Sequence, residues 1–143
     1  MSAETKRAHL KLTGGAGLIP AASATAEHFA EEAGFDEPAR VALVEACEKV
    51  CMDALDRTGD GGPLEVTVDH LEDRIEIVVE HPCASSPAIG LDDFIGGSQG
   101  PGMGAGASLL TRVDRVRYET VGQTSRMILV KYLPGKKAQK LPN

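Results

Sequence analysis

The sequence predicts an α+β fold, a two-layer α/β sandwich with a mixed, mostly antiparallel sheet and helices on one face. Three observations predict it. Residues 64–68 (LEVTV) and 75–79 (IEIVV) place apolar side chains at every second position, the period of strands with one buried face. Residues 21–33 and 36–55 carry apolar side chains at helical spacing instead. The order strand, helix, helix, hairpin, long loop, short helix, hairpin segregates helices from strands, as α+β folds do.

Each element has a local reason. Residues 1–7 are polar and expected to fray. A short edge strand is expected at residues 9–13, ended by Gly14 and Gly15. Pro20 suits the first turn of a helix over residues 21–33, which Gly34 stops. Asp36 is a good N-cap, with Pro38 in the first turn, for a second helix reaching about residue 55. Val41, Leu43, Val44, Cys47, Val50, Cys51, Ala54 and Leu55 form its apolar stripe. The run TGDGGP at residues 58–63 is a loop, and the two alternating segments after it form an antiparallel hairpin. A short helix is expected at residues 103–111, then strands at 113–120 and 125–133 joined through Val121, Gly122 and Gln123.

Composition narrows the class. A chain of 143 residues with 42% hydrophobic content suits one globular domain, here residues 8–134 between a flexible N-terminus and a flexible basic tail at 135–143. Aromatics are 3% with no Trp, so Val, Leu, Ile and Ala must build the core. A net charge of −6 argues against a nucleic-acid or anionic-membrane surface. The N-terminal MSAETKRAHL has no apolar signal region, and three cysteines without framework spacing suit a reducing cytoplasm.

The stretch GGSQGPGMGAGASLL, residues 96–110, holds six glycines in its first eleven residues and then turns apolar. Glycine lets backbone N–H groups approach an anion closely, and a helix N-terminus adds partial positive charge. The run is therefore a candidate phosphate cradle. It is neither a Walker A loop, lacking the closing Gly-Lys-Ser/Thr, nor a Rossmann fingerprint.

Three segments in order carry a family resemblance: VALVEACEKVCMDAL at 41–55, DRIEIVVEHPC at 73–83 and GMGAGASLLTRVDRVRYETVGQTSRMILVKYL at 102–133. Through them the chain resembles a GHKL-type (histidine-kinase-like) ATPase domain, most closely the small anti-sigma-factor serine kinases of bacterial partner-switching systems. The first segment matches the family's N box, the second the strand into its first glycine box, and the third its second glycine box and closing hairpin. The resemblance implies nucleotide contacts from Lys49, His81, Cys83, Gly100, Gly102, Met103, Gly104, Ala105 and Gly106, with a lid at about residues 82–101. It also implies Glu45 as the candidate catalytic base.

The same resemblance exposes departures. The N box pairs its Glu with a Mg²⁺-holding Asn four residues on, where Lys49 stands here. Lysine offers Mg²⁺ no oxygen, although it can place a positive charge near phosphate. The plainer reading is an i,i+4 Glu45–Lys49 ion pair. His81 and Cys83 occupy the Asp and Gly of the first glycine box, and only a bulge would bring Glu80 to the Asp position. Ala105 and Ala107 stand where the family carries leucines. ATP or ADP binding is thus expected to be weakened, and Mg²⁺ lacks its ligand.

A soft-metal set of Cys47, Cys51, His81 and Cys83 is a rival reading, opposed by the place of Cys47 and Cys51 in an apolar stripe. His9, His28 and His70 show no partner pattern. Two functions follow from the resemblance. One is a regulatory module with a degenerate Mg-ATP site, binding a sigma factor, an anti-sigma antagonist or another regulatory protein, and forming homodimers. The other is an active serine/threonine kinase anti-sigma factor using Glu45.

Overall fold

A computed structural model describes residues 5–58, 63–82, 109 and 111–134. Five strands and two long helices make up the described chain: β1 (Lys6–Leu12), α1 (Ile19–Glu32), α2 (Glu37–Thr58), β2 (Leu64–His70), β3 (Arg74–Pro82), β4 (Arg115–Val121) and β5 (Thr124–Tyr132). The sheet order is β1-β2-β3-β5-β4, and every pairing is antiparallel. The expected α+β class is present, and among the described residues the sheet is antiparallel throughout rather than mixed.

Local chemistry sets the helix ends. A 3₁₀ turn at Ala16–Leu18 leads into α1, and Pro20 lies in its first turn. At the other end Phe35 N–H donates to the Ala30 carbonyl at 3.1 Å and Gly34 N–H to Glu31 at 3.1 Å. That double bond pattern needs a left-handed residue, which Gly34 supplies at φ 91°. Helix α2 is capped as its sequence predicts, with Asp36 Oδ1 accepting from Ala39 N–H at 3.0 Å. Asp36→Ala is expected to cost about 1 kcal/mol, read as a lower urea midpoint with unchanged slope.

Core residues come from one face of each element. Leu43, Ala46, Cys47, Val50, Cys51 and Ala54 of α2, with Ala22, Ala26 and Ala30 of α1, meet Val66, Val68, Ile75, Ile77, Val79, Met127 and Leu129 of the sheet. The small residues along α1 let it lie close against α2, with which it shares its most extensive packing. Val41, expected in the α2 stripe, instead stands 46% exposed, and Ala46 takes part in the core. A three- to four-residue spacing defines a broad stripe but not its rim.

The N-terminal strand begins earlier than the sequence suggests. Lys6 and Arg7, expected in the frayed segment, belong to β1 because partners distant in sequence hold them. Lys6 reaches Glu32 on α1 at 3.1 Å, and Arg7 makes a two-point contact with the buried Asp69 at 2.7 and 3.1 Å. Lys6 also draws the Glu32 carboxyl below its ordinary value. The expected edge position of β1 holds. At the other end, Leu109, Thr111 and Arg112 are helical, and Val113 N–H still bonds the Leu109 carbonyl at 3.0 Å. Strand β4 therefore starts at Arg115, two residues later than expected. Gly122 turns the closing hairpin at φ 63°.

No helix among the described residues is long and apolar enough to cross a membrane.

Candidate functional site

Residues 41–55 lie within α2, whose outer face carries Glu45, Lys49, Met52, Asp53 and Asp56. Three- and four-residue steps bring these side chains to one side. With Glu48 and Arg112 they line an open groove of about 480 Å³. Glu45 does not pair with Lys49. Arg112 Nε donates to Glu45 Oε1 at 2.9 Å instead, joining α2 to the turn before β4. The i,i+4 pair loses because a guanidinium from outside the helix reaches the same carboxylate with a fixed, planar donor. Glu45 thus stands on the groove wall as the acceptor of an ion pair.

Lys49 is exposed on the same wall. Its ammonium carries only donors, so Lys49 itself cannot serve as an oxygen ligand to Mg²⁺. Thirty-two residues on, His81 lies near the end of β3, in register with Ser125 of β5. The β3–β5 pairing runs unbroken from Arg74↔Tyr132 to Pro82↔Thr124. No bulge intervenes, so Glu80 faces away from the helices and pairs with Arg126 at 2.7 Å. Strand alternation therefore turns His81 inward, toward the helices.

His81 is 7% exposed and lines a cavity of about 10 Å³ with Asp53 and Arg57 of α2, Tyr118 of β4 and Ser125 of β5. Its Nδ1 lies 2.8 Å from the Pro82 carbonyl. A carbonyl only accepts, so Nδ1 carries the proton and Nε2 of the neutral ring is left as an acceptor. Burial pushes the imidazole below its ordinary pKa, and Arg57 adds to this, while the Pro82 bond and Asp53 oppose it. The ring is therefore neutral at pH 7. A cavity of this size holds one water molecule. Asp53 is bound by Arg57 at 2.6 Å and lines both this cavity and the outer groove.

Cys47 and Cys51 are fully buried thiols of the α2 core. The neighbouring Cys47 and burial both push the Cys51 thiol upward, which disfavours the thiolate a metal requires. No group of three or more His, Cys, Asp or Glu among the described residues is placed to hold a metal ion. The histidines without a sequence pattern do have neighbours. His9 bonds Thr67 at 2.7 Å and Glu65 at 3.0 Å across the sheet, and His28 lies 3.6 Å from Glu32. His70 is half-buried, and its Nδ1 has no hydrogen-bond partner among the described residues.

Cys83, Gly100, Gly102, Met103, Gly104, Ala105 and Gly106 lie outside the described residues, as do most of the expected lid, the N-terminal part of the helix expected at 103–111 and the basic tail. Of the expected site, the structure brings Glu45 and Lys49 together in the groove and sets His81 behind Asp53, facing a separate cavity. Sequence reasoning missed Arg112, Asp53 and Arg57. Helical spacing from Glu45 and Lys49 signals Asp53, whereas nothing local signals Arg112, 67 residues from its partner. The chain matches no protein-family model, and no curated protein matches it.

Proposed function

We propose that the chain is a regulatory protein-binding domain of the histidine-kinase-like type, related in design to anti-sigma factors and carrying a degenerate Mg-ATP site. It works in the cytoplasm by engaging a sigma factor, an anti-sigma antagonist or a similar regulatory protein, as a homodimer. The observation that carries this reading is the surroundings of His81. At the position where the family recognises the purine, a neutral ring lines a cavity of about 10 Å³ toward the helices and a second of about 220 Å³ at the end of the sheet, both below the roughly 300–1,000 Å³ of small-molecule sites. Lys49 in place of a magnesium ligand and Glu45 engaged by Arg112 point the same way.

One observation favours the alternative of an active kinase. The groove that holds Glu45 and Lys49 is about 480 Å³, large enough for part of a nucleotide. Calorimetric titration with ATP and ADP, with and without Mg²⁺, separates the two. The expected result is no magnesium-dependent heat at micromolar nucleotide. Micromolar, magnesium-dependent binding would overturn the degenerate-site reading and return Glu45 to the role of base.

A further inference from the structure

The outer face of α2 has properties that a degenerate nucleotide site does not require. Met52 is 46% exposed at its centre, and Val41, also 46% exposed, lies three helical turns before it on the same side. Soluble surfaces carry isolated apolar side chains routinely, but here an acid stands on either side of Met52 along the helix. Glu48 and Asp56 stand one turn before and one turn after Met52, both exposed. Neither has an ion-pair partner among the described residues. Glu45 and Asp53 complete the wall, and Lys49 and Arg112 are the cations lining the groove. Arg112 holds Glu45 and Arg57 holds Asp53, so Glu48 and Asp56 are the acids left over around Met52, with Lys49 the remaining cation, and this side of α2 is exposed.

From this we infer that the Glu48–Met52–Asp56 face of α2 is the docking surface for a basic amphipathic segment of a partner protein. An apolar side chain of that segment sits against Met52, and its lysines or arginines meet Glu48 and Asp56. Anionic partners are disfavoured by the same charge balance. The inference rests on reading the chain as a protein-binding domain, and it names the class of partner.

The test uses the full chain and two fluorescein-labelled helical peptides in fluorescence anisotropy. One carries leucines on one face and lysines on the other; the second has glutamate for every lysine. The lysine peptide should bind and the glutamate peptide should not. Glu48→Lys with Asp56→Lys should weaken binding at least about tenfold, while Glu27→Lys with Glu31→Lys on exposed α1 makes the same charge change at a cost below about threefold. Met52→Ser should weaken it about fivefold without altering its salt dependence, because the lost contact is apolar. Equal losses from the α1 and α2 charge reversals would overturn the placement, since attraction would then follow net charge alone. So would equal binding of the two peptides, or no binding of the lysine peptide. Magnesium-dependent ATP binding in the calorimeter would overturn the underlying reading separately, whatever the peptides do.

Discussion

Ile77→Ala is expected to lower the unfolding free energy by about 2–5 kcal/mol, the range for truncating a fully buried aliphatic side chain. Ile77 is fully buried in β3, the middle strand, between Val68 of β2 and Leu129 of β5, which are buried with it. Three strands and the helix layer surround it, so the space left by three lost carbons cannot close without moving the sheet. A domain of this size has about 5–15 kcal/mol of stability in all, so the variant forfeits a large share. Urea denaturation followed by circular dichroism measures the loss. Val121→Ala, at an exposed position beside the hairpin turn, should change stability by less than about 0.5 kcal/mol. A loss below about 1 kcal/mol for Ile77→Ala would mean the core does not close around β3.

His81→Asp, which puts a carboxylate where the imidazole stands, is expected to destabilise the fold by about 2–4 kcal/mol at pH 7. A carboxylate there would be buried among Val50, Ala54, Val79 and Met127 with Asp53 as a like-charged neighbour. Arg57 offsets part of that cost but already serves Asp53. The two proteins should also respond to pH with opposite sign. In the native chain the imidazole pKa is depressed, so the unfolded state binds more protons as pH falls through about 6.5. Its stability is therefore full above that value and declines below it. In the variant, burial raises the carboxyl pKa, so the folded state holds the proton longer and stability declines as pH rises from about 4 to 7. Thermal melts across pH 4.5–7.5 read both slopes. Parallel slopes would show that His81 is not the buried, neutral group described above.

Much of the architecture was legible because its causes are local. Alternation at Leu64, Val66 and Val68 and at Ile75, Ile77 and Val79 assigns a buried face, and the structure buries those side chains. Asp36 and Gly34 announce helix ends through chemistry confined to a few residues. What escaped depends on pairs remote in sequence. Lys6 and Arg7 look like a loose terminus until Glu32 and Asp69 are placed beside them. Glu45 and Lys49 look like a helix pair until Arg112 arrives from across the groove. His81 lies between: strand alternation predicts which way it points, but not that Asp53 and Arg57 close its cavity to the size of a water. The glycine run that first draws the eye toward phosphate lies outside the described residues, so the candidate site rests on α2 and β3.

The strand order also bears on how the chain is made. On the edge of β3 away from β2 the partner is β5, and Glu80 and Arg126, which meet across that edge, are 46 residues apart. At a synthesis rate of about 5–20 residues per second, that edge waits roughly 2–9 s for its neighbour. During the wait a nascent β2–β3 hairpin presents Ile75, Ile77 and Val79 beside an unpaired row of backbone groups. Such an edge recruits strands from other chains. The domain is therefore most vulnerable to association while it is being synthesised, and β5, on arrival, closes off that route.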